Sequence, residues 1–97
     1  MKPEKIYICR THEAAKELLS SLEIQGYLWK SGYSISREGT NFNRYIGDIC
    51  YFLYPNKIIT YCHTGILKNS KYNNVQIETY YPKNSIRAYL SERECLC

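Results

Sequence analysis

A chain of 97 residues holds material for one hydrophobic core, which excludes a separate catalytic module and predicts a single domain over residues 1–97. Its 44% hydrophobic and 23% charged residues are those of an ordinary globular protein, and no apolar run reaches the roughly 18 residues of a membrane span, so no membrane partner is expected. The net charge of +4 is uneven, at +1 over residues 1–50, +4 over 51–90 and −1 over 91–97; this suits an anionic partner but is modest beside dedicated nucleic-acid binders.

Lys5 to Arg10 has the alternation of a first strand, with Ile6 and Ile8 on one face and Tyr7 and Cys9 on the other. A helix over about residues 12–25 follows. Thr11 is its N-cap, Glu13 favours the positive end of its dipole, and Ala15, Leu18, Leu19 and Leu22 form its buried stripe. Gly26 provides the left-handed position that ends it. Tyr27 to Ile35 contains a short strand, with Leu28 or Trp29 sealing the helix end, and the polar run Ser36 to Tyr45 is expected to be a loop.

The clearest β signal is Ile49 to Cys62, two apolar and β-branched runs about Pro55-Asn56. A two-residue turn sets Leu53 opposite Ile58 and Tyr51 opposite Thr60, whereas a three-residue loop shifts this register; proline at the first turn position favours the wider loop. Lys68 to Asn74 is a polar connection, Val75 to Tyr80 alternates as a strand with one face in water, and Pro82 stops it. Asn84 or Ser85 caps a short C-terminal helix bearing Ile86, Tyr89 and Leu90, and residues 91–97 form a frayed tail. The expected fold is a two-layer α+β domain with a mostly antiparallel sheet of three to five strands, one main helix and a short C-terminal helix. An exposed sheet edge would let two copies pair as a homodimer.

Five cysteines at irregular spacing make a poor disulfide framework, and the segment Met1 to Cys9 lacks a signal peptide's apolar stretch, so free thiols and a cytoplasmic location are expected. Cys50, Cys62, His63, Cys95 and Cys97 are chemically able to bind zinc. They lack the paired-knuckle spacing of structural sites, and buried thiols are the simpler reading, so no metal or cofactor is expected. Cys9 near Thr11-His12 is the candidate activated thiol, on one adjacency; Asp48 is the sole aspartate, and phosphate-loop motifs are absent. A non-enzymatic role is therefore expected.

Basic and aromatic residues interleave at Trp29-Lys30, Arg44-Tyr45, Tyr54 to Lys57, Lys71-Tyr72 and Tyr81 to Lys83, the combination that holds single-stranded nucleic acid. With 11 tyrosines in the chain such neighbours also arise from composition. Tyr27, Tyr33, Phe42, Tyr45, Tyr72, Tyr80 and Tyr81 are the aromatic candidates for an exposed binding surface, since tyrosine gives large contact area at low entropy cost. The expected binding residues are Trp29, Lys30, Tyr33, Arg37, Phe42, Arg44, Tyr45, Lys57, Lys68, Lys71, Tyr72, Lys83 and Arg87.

The layout over about residues 5–62, a strand followed by Thr11-His-Glu-Ala-Ala-Lys-Glu-Leu-Leu19, Gly26-Tyr-Leu-Trp-Lys-Ser-Gly32 and a hairpin ending Asn56-Lys-Ile-Ile-Thr-Tyr61, resembles small proteins carried by phages and mobile elements of low-GC bacteria. That resemblance implies action by binding: blocking a host enzyme or defence nuclease, or sequestering a nucleotide signal. The expected function is inhibition of a host or bacterial immune factor, with a protein or an anionic nucleotide-type ligand as partner. Direct binding of single-stranded nucleic acid is the alternative, and a small thiol enzyme the third class.

Overall fold

The computed structural model describes residues 2–83. Strand β1 (Lys5–Cys9) leads into helix α1 (His12–Ile24), then β2 (Leu28–Trp29), a one-turn helix α2 (Ile35–Glu38), β3 (Ile49–Leu53), β4 (Ile58–His63) and β5 (Gln76–Thr79). The five strands form one sheet in the order β2-β4-β3-β1-β5. Pairs β1/β3 and β3/β4 are antiparallel, while β1/β5 and β2/β4 are parallel, so β3 alone runs against the other four. The fold is α+β as expected, and the sheet is mixed rather than purely antiparallel. Residues 64–75 are long enough to cross from β4 to the far edge and lay β5 parallel to β1, a connection that a tight turn cannot make.

Helix α1 forms where caps and periodicity place it. Thr11 Oγ1 accepts from the Ala14 amide at 3.1 Å, and the buried stripe is Ala14, Ala15, Leu18, Leu19 and Leu22. At its end Tyr27 N–H donates to Leu22 O and Gly26 N–H to Glu23 O, with Gly26 at φ +95°, which is a Schellman closure. The stripe packs on one face of the sheet, against Cys9, Trp29, Ile49, Tyr51, Leu53 and Ile59. On the second face Ile6, Cys50 and Phe52 are covered by residues 64–75, which bring Ile66, Leu67, Tyr72 and Val75 over them. Strand β3 is consequently buried on both sides along its whole length.

The hairpin takes the wider loop that proline favours, with Leu53 opposite Ile59 and Tyr51 opposite Tyr61, one residue away from the register of a two-residue turn. The cause is a three-residue loop, Pro55-Asn56-Lys57: Lys57 N–H closes the turn onto Tyr54 O, and Lys57 sits at φ +66° so that Tyr54 can pair with Ile58. The run Ser36 to Tyr45 is not a plain loop. Ser34 caps α2 by accepting from Arg37 N–H, a 3-10 turn spans Phe42–Tyr45, and Ile35 and Phe42 anchor both pieces in the helix-side core. Residues 64–75 hold two more 3-10 turns, Thr64–Lys68 and Ser70–Tyr72. The expected C-terminal helix and the tail 91–97 lie outside the described residues.

Beyond β5 the chain returns to α1. Tyr80 Oη and Lys83 N–H both donate to Glu17 Oε2 at 2.7 Å. These two bonds, the Lys83 amide foremost, hold the Glu17 carboxyl below the usual carboxylate value, while burial and then the Glu17 bond push the Tyr80 hydroxyl up to about 12. A lowered folded-state pKa means stability present above the ordinary carboxylate titration and lost as pH falls through the Glu17 value. Glu17→Gln should therefore melt below wild type at pH 7, with the gap closing toward pH 3 in thermal unfolding followed by circular dichroism. A gap independent of pH would show that the Glu17 charge is not what secures residues 80–83.

Candidate functional site

Among the thirteen expected binding residues, three aromatic rings are structural. Trp29 is 2% exposed, stacks obliquely on Tyr51 and edge-on to Tyr61, and donates Nε1–H to Gly39 O at 3.2 Å. Phe42 is 5% exposed and lies parallel to the His12 ring at 5.4 Å, and Tyr72 is 8% exposed with its ring edge-on to Phe52. These three are corrected from binding to core residues, as is Tyr27, and the reason is common to all: each apolar ring had a sheet face or helix flank to cover.

The exposed candidates are scattered. On the helix side, the Arg37 guanidinium lies 4.5 Å from the Tyr33 ring, Lys57 lies over Tyr27, and Lys83 sits beside Glu17. Arg44 and Tyr45 occupy the 3-10 turn near β4, where Tyr45 meets the rings of Tyr61 and His63. Lys68 and Lys71 ride on the 3-10 turns of the second face. Lys30 follows β2, its amide donating to Ile59 O, and Arg87 lies outside the described residues.

Two of these cations come together around a residue the site prediction omitted. Tyr54, half-buried on the second face, is shared by two adjoining hollows. One, of about 320 Å³, is lined by Lys30, Tyr54, Asn56, Ile58 and Thr60; the other, of about 180 Å³, by Lys2, Pro3, Tyr54, Lys71 and Tyr72. Together they form a trough beside the hairpin turn, with Tyr54 common to both halves, Lys30 on one side, Lys2 and Lys71 on the other, and no carboxylate from the described residues in its lining. The absence of acid has a plain origin: no Asp or Glu occurs between Asp48 and Glu78, the segment that supplies most of this face.

Other hollows are chemically mixed. A larger and more open one, about 600 Å³, runs along the outer side of α1 by His12, Glu13, Lys16, Glu17 and Ser20, where opposite charges offset each other. One of about 270 Å³ lies between β4 and α2, shares Lys30 and Thr60 with the trough and includes Glu38. Size alone would select the helix surface; uniform charge about a shared tyrosine selects the trough.

Cys9, Cys50 and Cys62 are free thiols and the first two are buried, as the simpler reading had it. Cys9 is fully buried, and burial pushes its thiol up to about 12, opposite in direction to the activation that the nearby helix start suggested. Cys50 is also buried, is pushed up to about 12 chiefly by burial, and donates to Cys62 O at 3.3 Å. Among the described residues no group of three or more His, Cys, Asp and Glu side chains is placed to hold a metal ion; Cys95 and Cys97 lie outside them.

Compared with family models, curated proteins and solved structures, the chain matches none. No helix among the described residues is long and apolar enough to cross a membrane.

Proposed function

We propose that this chain is a small, non-enzymatic binding protein that holds an anionic partner in the trough at Tyr54 and so inhibits a host or bacterial immune factor, as the resemblance to phage-borne proteins implies. One observation carries the first half of that reading: Lys2, Lys30 and Lys71 line two hollows that share Tyr54, with no acid among the described residues of the lining. Three ammonium groups lining a concave surface attract an anion more strongly than the same charges spread over a convex one. The inhibitory role and a place in the cytoplasm belong to the same proposal.

A titration at low salt against tripolyphosphate, heparin fragments and oligonucleotides, read by thermophoresis, tests the anionic reading. At least one class should bind, and binding should weaken as salt rises. Failure of every class would remove it.

A protein target is the second reading, and a separate feature favours it. Ile46 is 71% exposed and Tyr45 38%, adjacent to Arg44 and close to His63, which gives one end of the sheet an apolar tip rimmed by polar groups.

A further inference from the structure

We infer that the occupant of the trough is a single-stranded nucleic acid, one of whose bases stacks on Tyr54 while the neighbouring phosphates lie against Lys30 on one side and Lys2 and Lys71 on the other. This rests on the reading of the trough as an anion site and names the anion.

Shape decides against a free nucleotide. Sites for small ligands enclose most of the ligand and commonly span about 300–1,000 Å³. Here two open hollows of about 320 and 180 Å³ stand in file and share a single side chain. A lone nucleotide would fill one and leave the other's ammonium groups unused. A strand passes through both, and its phosphates recur on each side of the stacked base, as the cations do.

Chemistry decides against a duplex and against a protein. Stacking on a tyrosine requires an unpaired base, which a duplex does not offer. Among the described residues no helix borders this face to enter a groove: those beside the trough are the hairpin turn and 3-10 segments. A protein partner calls for an apolar centre with a polar rim; the trough has an aromatic centre ringed by ammonium groups. Asn56 and Thr60 add an amide and a hydroxyl, able to meet base edges or sugar oxygens in the larger hollow.

Fluorescence anisotropy with a labelled 12-nucleotide single strand, in DNA and RNA forms, tests this on the full chain. Neutralising three phosphates gives a slope of log K against log salt of about −2. Tyr54→Leu should weaken the strand about tenfold or more, and Tyr54→Phe should hold it within about twofold, since stacking needs the ring and not the hydroxyl. Asn56→Asp places a carboxylate at an exposed turn position that accepts it and should also weaken binding, so the result does not depend on Tyr54→Leu folding. Tripolyphosphate and a duplex of the same length should compete poorly. Equal competition by tripolyphosphate or duplex, or full affinity in a folded Tyr54→Leu protein, would overturn the strand while leaving an anion site. Absence of binding by every probe would instead remove the anion site itself.

Discussion

Tyr51→Ala is expected to lower the unfolding free energy by about 3–5 kcal/mol, the range for a buried aromatic cut to a methyl group. Tyr51 is fully buried at the middle of β3, with Tyr7 of β1 opposite it on one side and Tyr61 of β4 on the other. Its ring supports Trp29, and its hydroxyl donates to Thr40 O at 2.7 Å, the bond that ties residues 39–41 down over the helix-side core. Alanine leaves a cavity and also strips Thr40 of its donor. A domain of this size is stable by only about 5–15 kcal/mol, so the change removes about a fifth of the total or more. Tyr51→Phe keeps the ring and should cost about 1–2 kcal/mol, the value of one buried hydrogen bond with its stranded partner. Urea unfolding of the two variants separates packing from bonding. A cost below 1 kcal/mol for alanine would mean that the core is not centred on this ring.

The second large effect concerns binding. Reversing Lys30 and Lys71 together to glutamate should weaken an anionic ligand by at least about 100-fold at low salt, because each reversal replaces an attraction of about 1 kcal/mol with a repulsion of similar size. Both side chains are exposed, and exposed substitutions ordinarily alter stability by no more than about 0.5 kcal/mol, so unfolding should be nearly unchanged. Arg37→Glu is the control for each single reversal, since Arg37 stacks on Tyr33 and lines neither hollow of the trough. Equal losses from the control and from either single lysine reversal would assign the attraction to overall charge and not to the trough.

Local order was largely legible in the sequence, and assembly was not. Strand β1, the cap and stripe of α1, the Gly26 stop and the existence of the hairpin follow from period, cap chemistry and turn residues, all of which act over a few neighbours. The hairpin register hinged on one residue, Lys57, taking a left-handed conformation, which lysine does not advertise. The parallel placement of β5 and β2 is a choice of edge made by the whole sheet. The same holds for Trp29, Phe42 and Tyr72: beside basic or polar neighbours they look like surface rings, and only the packed fold shows that they close gaps over β3 and the α1 flank.

The trough shows the limit most clearly. Its lysines come from the N-terminal arm, the end of β2 and a 3-10 turn, and its tyrosine from the hairpin. No local window contains two of its sides. Two signals were nevertheless present, the interleaved Tyr54 to Lys57 turn and the acid-free stretch from Ile49 to Ile77, and together they mark the hairpin and the second face. Lys2 had no signal at all, because only the pairing of β1 with β3 brings the arm beside Tyr54 and Tyr72.

The most direct measurement is a backbone amide titration by nitrogen-15 NMR with the 12-nucleotide single strand at low salt. Binding in the trough predicts progressive shifts at Tyr54, Asn56, Thr60, Lys30 and Lys71, with the α1 surface and the Arg44 to Asp48 tip unchanged. Shifts confined to that tip and His63, or spread along α1, would contradict it.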